Sequence, residues 1–200
     1  MFGRERSGTP AALLVIGLGN PEAEYAGTRH NLGAECVHLL AQRHGARLKM
    51  GKEKALTGEV RIGGALVALA FPQTYMNESG QAARLLVRRY GIEDLAQVVV
   101  VHDELDLPSA RVKLKLGGGT AGNNGIKSVH AHLNSADFAR VRIGIGRPPG
   151  AGQAIEYVLK RPGKAERGLL DVAVQEAADA VEAIVSDGFE RTMNRVNTGK

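Results

Sequence analysis

Short apolar runs that alternate with amphipathic segments are the feature of this chain that most restricts its fold. The runs at 13–17 and 97–101 are almost entirely apolar, which is typical of strands buried in the centre of a sheet. The segments at 31–43 and 78–90 place apolar residues at helical spacing. Strands that alternate with helices predict an α/β fold with parallel strands joined by helical crossovers.

A hairpin and a long C-terminal helix complete the predicted architecture. Residues 56–62 and 65–71 flank a Gly-Gly pair, which tolerates the positive φ angles of a tight hairpin turn. Residues 164–186 form the longest helical pattern, and a shorter helix is expected as far as Val196. The prediction is a single three-layer α/β domain, with a mixed, mostly parallel twisted sheet flanked by helices.

Length and composition limit the number of domains and indicate the cellular compartment. A chain of 200 residues fits one domain, expected at 11–197 between a flexible tail at 1–10 and a short tail at 198–200. Cys36 has no second cysteine to pair with, so a reducing, cytoplasmic setting is expected. The apolar stretches are far shorter than the roughly 20 residues that a membrane span needs, so no membrane partner is predicted.

The positive charge of the chain is concentrated in one segment. The net charge is +5, and residues 1–110 and 151–200 sum to 0 and −1, so 111–150 carries +6. Within that segment, alternation predicts two strands that each present basic residues on one face, namely Arg111, Lys113 and Lys115 on the first and Arg140 and Arg142 on the second. Such a surface is typical of phosphate binding. A basic face kept for solubility explains the charge equally well.

Polar loops at the ends of predicted strands are the candidate site, because ligands of α/β sheets bind beyond the carboxyl ends of the strands. These loops span 19–31, 72–77 and 102–104, and the glycine-rich loop at 117–125 is a fourth. They contain three asparagines that can bind a carbonyl, an oxyanion or a ribose hydroxyl: Asn20, Asn77 and Asn124.

One histidine and one aspartate in these loops suggest water activation. His30 lies at a helix start, where the helix dipole favours the neutral imidazole of a general base. Asp103 follows an apolar strand and is placed to orient that imidazole and to stabilise its cation. Each residue alone could equally be a cap or a turn residue, so the hydrolase hypothesis depends on their convergence.

Other chemistries fail on the spacing of their motifs. Gly17-Leu-Gly19 begins like a dinucleotide fingerprint, but Glu22 takes the place of the third glycine, so a nucleotide-binding module is a weak alternative. Ile126 interrupts the Gly-Lys-Ser order of a phosphate loop. Cys36 falls on an apolar helix face, and the two histidines of His130-x-His132 lack a third ligand nearby. Neither a metal nor a cofactor is therefore expected.

Seven short motifs follow one another between residues 13 and 194. They are Gly17-Leu-Gly-Asn-Pro21, Tyr25-x-x-Thr-Arg-His-Asn31, Thr74-Tyr-Met-Asn77, His102-Asp-Glu-Leu-Asp-Leu107, Lys113-x-Lys-x-Gly-Gly-Gly119, Asn124-Gly125 and Arg140-x-Arg-Ile-Gly-Ile-Gly146. In residue type and in order they closely resemble bacterial peptidyl-tRNA hydrolase. The resemblance covers nearly the whole chain, which makes it far more specific than any single motif.

This resemblance implies hydrolysis of the ester between a peptide and the 3′ ribose of tRNA by a cytoplasmic monomer without metal or cofactor. It makes His30 the general base and Asp103 its orienting partner, and it gives Asn20 a part in distinguishing peptidyl from free aminoacyl ends. It assigns acceptor-end binding to Tyr25, Tyr75, Asn77 and Asn124, with Met76 packed beside that pocket. It assigns the tRNA phosphates to Lys113, Lys115 and Arg142.

The glycine-rich loop departs from the family pattern. The family usually has Gly-Gly-His-Asn-Gly there, whereas this chain has Asn123 in place of the histidine. Asn123 can donate and accept hydrogen bonds but cannot titrate, so we expect activity to survive while positioning or rate differs. The alternative from another class is a non-catalytic RNA-binding relative of the same fold, but the chain has no extra insert to form a partner-binding surface.

Overall fold

The computed structural model describes residues 10–199. Arg4 and Arg6 of the predicted N-terminal tail, and Lys200 of the C-terminal tail, lie outside the described residues. Residue 10 precedes the first strand, and the last helix continues to Thr198, one residue beyond the predicted end of the domain.

Seven strands in the described part of the chain form one mixed sheet. They are β1 (Leu13–Gly17), β2 (Lys49–Met50), β3 (Ala55–Ile62), β4 (Ala65–Pro72), β5 (Val98–Glu104), β6 (Val112–Leu116) and β7 (Ala139–Gly144). The order across the sheet is β2-β3-β4-β1-β5-β7-β6. The four central strands are parallel, whereas β2, β3 and β6 join through antiparallel pairings. The predicted mixed α/β sheet is confirmed.

Helices cover both faces of this sheet. They are α1 (Leu32–Arg43), α2 (Ser79–Arg89), α3 (Asn124–Leu133), α4 (Ala154–Val158), α5 (Lys164–Asp187) and α6 (Phe189–Thr198). Alternate β1 residues belong to two apolar clusters: Val15 packs with α1 and α5, and Leu14 and Ile16 pack with α2 and α3. The three predicted layers are therefore present. Within residues 10–199, none of the helices has the length and apolar character of a membrane span.

The predicted hairpin is confirmed in register and in turn geometry. Ile62 pairs with Ala65 across the turn, where Gly63 and Gly64 take φ angles of 54° and 81°. Both angles lie in the left-handed region, which only glycine enters without strain. The short strand β2 and the helix α4 were not predicted, because two and five residues are too few to show a period.

The prediction that residues 102–104 form a loop is wrong. β5 continues to Glu104 because its ladder with β7 continues, pairing His102 with Arg142 and Glu104 with Gly144. The glycine-rich loop is also shorter than predicted, since α3 begins at Asn124. The polar residues at the end of β5 therefore have the fixed geometry of a strand.

Candidate active site

A hydrogen-bonded histidine and aspartate lie where β1 and β5 end. His30 sits in a single turn of 3-10 helix (Arg29–Asn31) just before α1, and Asp103 is the sixth residue of β5. The His30 Nδ1 atom is 3.0 Å from Asp103 Oδ1 and 2.9 Å from Oδ2. His30 is 9% and Asp103 is 2% exposed. A carboxylate can only accept, so Nδ1 carries the proton and Nε2 keeps its lone pair.

The electrostatics of this pair favour proton uptake. Burial lowers the pKa of His30, but the negative charge of Asp103 and the hydrogen bond to it outweigh burial, so the pKa is raised above 6.5. A base whose cation is stabilised in place is suited to take a proton from water. The chemistry that the residue types suggest is thus supported by their geometry.

Close packing of α1 against the sheet brings His30 to Asp103. A Cβ on Gly33, in the first turn of α1, would collide with the Val101 carbonyl oxygen, and one on Gly17 would collide with the Gly33 carbonyl oxygen. The Leu18 amide donates to the Val101 carbonyl at 3.0 Å, and the Ala34 amide donates to the Leu18 carbonyl at 3.0 Å. Glycine is required at both positions because the backbones touch.

Asn20 ties two of the polar loops together. Its backbone N–H donates to Asn31 Oδ1, and Asn31 Nδ2 donates back to the Asn20 carbonyl, both at 2.9 Å. Its side-chain Oδ1 accepts the Met76 N–H at 2.9 Å. Asn20 is therefore held on the backbone by one loop and on the side chain by another. The role of Asn31 was missed from the sequence, because only its place in a motif was evident.

His30 and Asp103 line a cleft that has both polar and apolar residues in its wall. Asn123 and Asn124, from the start of α3, line it together with His30 and Asp103. Another part of its wall is apolar and includes Leu105, Ala154, Ile155 and Val158. The contribution of α4 to this wall was missed, since that helix was not predicted. Within residues 10–199, no group of three or more acidic, cysteine or histidine side chains could hold a metal ion.

Three of the predicted acceptor-end residues lie outside this cleft. Tyr75 is 62% exposed and Asn77 is exposed, and they flank the buried Met76, which packs beside Leu18 and Gly125. Tyr25 is partly exposed; the charge of Glu24 raises its pKa most, and Tyr75 contributes, which places the two tyrosines in one neighbourhood. Of the four residues predicted to bind the acceptor end, only Asn124 therefore lines the cleft.

The basic residues of β6 and β7 do not form one uniform surface. Lys113 pairs with Arg142 across the two strands, and both lysines of β6 are partly exposed. Arg142 is also 3.6 Å from the buried Glu104 carboxylate. Arg140 is 2% exposed, lies 4.6 Å over the Phe138 ring and donates to the carbonyls of Gly118 and Gly119. Although strand alternation predicts a shared face for the two arginines, the glycine-rich loop covers Arg140.

An ion pair from a distant segment holds the loop that carries His30. Arg29 donates to both carboxylate oxygens of Glu166, at 3.0 and 2.8 Å, and to the Tyr157 carbonyl at 3.0 Å. Its guanidinium lies 4.0 Å over the Tyr157 ring. The sequence shows no sign of this contact, because its partners are 137 residues apart.

Comparisons with known proteins agree with this geometry. The family model of peptidyl-tRNA hydrolase matches residues 14–200. Curated peptidyl-tRNA hydrolases from Frankia alni and Mycobacterium tuberculosis are 48% and 47% identical over 91% and 92% of this chain, and over 92% and 97% of their own. The crystal structure of peptidyl-tRNA hydrolase from Acinetobacter baumannii superposes with a TM-score of 0.87, at 37% identity over 98% of this chain and 97% of that one.

Proposed function

The chain belongs to the peptidyl-tRNA hydrolase family and hydrolyses peptidyl-tRNA, and we propose that His30 is the general base that activates the attacking water. The observation that carries this proposal is the buried contact between His30 Nδ1 and the Asp103 carboxylate, which leaves Nε2 as the base. The identities of 48% and 47% to curated peptidyl-tRNA hydrolases favour the enzyme over the alternative of a non-catalytic RNA-binding relative.

In the proposed reaction, His30 Nε2 takes a proton from water while the water oxygen attacks the ester carbonyl between peptide and tRNA. Asp103 stabilises the imidazolium that forms. The tetrahedral oxyanion collapses, the ester C–O bond breaks, and the imidazolium returns its proton to the ribose oxygen that leaves. The products are a peptide with a free carboxyl group and a tRNA with a free 3′ end.

We assign substrate positioning to the asparagines and to the residues around the cleft. Asn20 is preorganised because its Oδ1 accepts the Met76 N–H, which leaves its Nδ2 to donate to a carbonyl that a free aminoacyl end lacks. Asn124 lines the cleft, and Tyr25, Tyr75 and Asn77 are accessible beside it for the acceptor end. Lys113, Lys115 and Arg142 are assigned to the tRNA phosphates. The reaction so written uses neither a metal nor a cofactor.

We also propose that the enzyme works as a cytoplasmic monomer. Cys36 is buried, where desolvation raises the pKa of its thiol to about 12. Such a thiol is inert, which suits a protein that forms no disulfide. Light scattering at micromolar concentration tests the oligomeric state, and a stable dimer would contradict the proposal.

The experiment that tests the assigned base is peptide release from an N-blocked aminoacyl-tRNA. Wild type should release the blocked residue and leave unblocked aminoacyl-tRNA largely intact. His30→Ala should lower kcat by about 10³-fold, because a general base contributes roughly 10²- to 10⁴-fold. Binding of uncharged tRNA should persist in this variant. A His30→Ala enzyme with near wild-type kcat would exclude His30 as the base.

A further inference from the structure

The backbone carbonyl of Asp103 accepts hydrogen bonds from two side chains outside the catalytic pair. His102 Nδ1 is 2.8 Å from this oxygen, and Asn123 Nδ2 is 3.3 Å from it. One donor is the preceding residue on β5, and the other comes from the loop before α3. Together they restrain the peptide unit that carries the Asp103 side chain.

His102 is built into this position as a neutral donor. It is 2% exposed, and its Nε2 is buried without a partner among the described residues. Its pKa is lowered to about 4, mainly by burial and to a smaller extent by the nearby Arg140 and Arg142, against the opposing effect of the hydrogen bond to Asp103 and of its charge. A buried neutral imidazole with one free nitrogen has a single hydrogen-bonding role here, which is to donate through Nδ1.

Asn123 connects the same carbonyl to the start of α3. Its Oδ1 accepts the Ile126 N–H at 3.0 Å and so caps the helix, while its Nδ2 donates to Asp103. The next residue, Asn124, lines the cleft. The Asn123 side chain therefore fixes the distance between Asp103, the partner of the base, and Asn124, which is assigned to the acceptor end.

We propose that His102 and Asn123 are positioning residues that set the orientation of the Asp103 carboxylate, and through it the tautomer and position of His30. The inference rests on the proposed role of the His30–Asp103 pair. Asp103 is at the end of β5, where the ladder to β7 stops at Glu104, so the strand alone restrains it less than it restrains earlier residues. Asn123, which departs from the family's usual histidine, supplies the donor in this chain.

Asn123→Ser separates the two functions of Asn123, because a serine hydroxyl still caps α3 but cannot reach Asp103 as a donor. We expect kcat to fall about tenfold with KM within about twofold, since small displacements of catalytic groups reduce the chemical step. The acidic limb of the pH profile should move to lower pH, because a displaced Asp103 raises the pKa of His30 less. A wild-type kcat and an unmoved profile would refute the role of Asn123.

Asp94→Ser is the matched control. Asp94 Oδ1 caps the short 3-10 helix before β5 by accepting the Ala96 N–H at 2.9 Å, at the end of β5 remote from the site. The same exchange to serine there should leave kcat, KM and the pH profile unchanged. A loss of kcat equal to that of Asn123→Ser would mean that loosening any cap has this effect, and the positioning role would be refuted.

His102 is tested by removing and then restoring its donor. His102→Leu replaces the imidazole with an apolar side chain of similar size that lacks the N–H, and it should lower kcat. His102→Asn places an amide donor near the Nδ1 position and should recover most of that loss of kcat. Equal losses in both variants would show that His102 matters for packing alone. If His102→Leu does not fold, the Asn123→Ser and His102→Asn measurements decide the question.

Failure of this inference is distinguishable from failure of the assigned base. The pKa of His30, followed by NMR titration of its imidazole in wild type and Asn123→Ser, should decrease in the variant whether or not the protein turns over substrate. If His30→Ala abolishes release while Asn123→Ser leaves kcat and this pKa unchanged, only the positioning role is wrong. If His30→Ala remains active, the assigned base itself is wrong.

Discussion

The loop that carries His30 and the basic strands β6 and β7 are two regions of the molecule that are built in opposite ways. In the first region, hydrogen bonds tie Asn20 to Asn31 and Met76, Arg29 to Glu166, and His30 to Asp103. The second presents the partly exposed lysines 113 and 115, and only Arg142 has a nearby carboxylate. The first region is fixed by these contacts, whereas in the second region Arg140 is covered and the two lysines stay partly exposed.

This difference suits the function that we propose for each region. Proton transfer requires its atoms within a fraction of an ångström of the reactive geometry, so the side chains around His30 must be oriented before substrate arrives. Phosphate recognition depends on charge at longer range and tolerates mobile lysine side chains. Substitutions in the first region should therefore reduce kcat, and those in the second should weaken binding and its salt dependence.

The largest effect is expected for Asp103→Asn, which breaks the rigid region at its centre. An asparagine can fill the same space, but its amide can donate to Nδ1 and so favours the wrong tautomer of His30. We expect kcat to fall by about 10²- to 10⁴-fold, as in other enzymes whose histidine loses its orienting carboxylate. Single-turnover peptide release measures the effect, and tRNA affinity should stay near wild type. A loss below about threefold would contradict the orienting role.

The pH dependence of kcat should report the same pair. In the proposed mechanism neutral His30 is the active form, and its pKa is raised because Asp103 outweighs the opposing effect of burial. Activity should therefore fall as the pH decreases through a value above 6.5, by about tenfold per pH unit below it. In Asp103→Asn this acidic limb should move to lower pH, since the negative charge that raises the pKa of His30 is removed. A limb below 6.5 in wild type would contradict the assignment.

The basic region is tested by Lys113→Ala together with Lys115→Ala. These lysines are cleaner probes than Arg142, whose removal would also leave the buried Glu104 without its counter-charge. The dissociation constant for tRNA should rise, and the slope of log affinity against log salt should decrease by about 2, because each phosphate contact contributes about 1. kcat at saturation should change little.

A matched charge control distinguishes docking from a general effect of net charge. Lys52→Ala with Arg191→Ala removes the same two charges from exposed positions outside β6 and β7. This variant should keep the wild-type salt slope. Equal losses of affinity in both pairs would favour a basic face kept for solubility.

The ion pair between Arg29 and Glu166 tests how far the rigidity of the His30 loop extends. Glu166→Gln keeps the size of the side chain but removes the charge opposite the buried guanidinium, which should lower stability by about 1–2 kcal/mol and Tm by about 2–6 °C. The exposed pair of Glu156 with Lys160 is the control, and Glu156→Gln should leave Tm close to that of wild type. Equal decreases in Tm for Glu166→Gln and Glu156→Gln would show that the Arg29–Glu166 pair stabilises the protein no more than an exposed pair does.

The smallest effect is expected for Asn123→His, which restores the usual family residue. An imidazole N–H can replace the amide donor to the Asp103 carbonyl, so kcat should remain within about threefold of wild type. Peptide release at saturating substrate measures it. A large gain would show that this chain loses rate by having asparagine at 123, contrary to our expectation that activity survives without a second histidine.

Local sequence patterns were sufficient to predict most of the secondary structure, because the spacing of apolar residues and the glycines of tight turns are both visible within a few neighbouring residues. They failed at the carboxyl end of β5, where polar residues predicted a loop. The ladder with β7 kept His102, Asp103 and Glu104 in the strand. They also failed for Arg140, since alternation defines a face but not whether a loop covers it.

The sequence by itself determined the layered α/β class, the hairpin, the family and the residue types that meet around His30. Short motifs and the periodicity of apolar residues are properties of neighbouring residues, so they can be recognised without the structure. Only the tertiary structure decided that Arg29 pairs with Glu166, that Asn20 holds Met76, and that two donors converge on the carbonyl of Asp103. The physical reason is that all of these contacts except that of His102 join residues far apart in sequence, and their distances exist only once the sheet and its helices have packed.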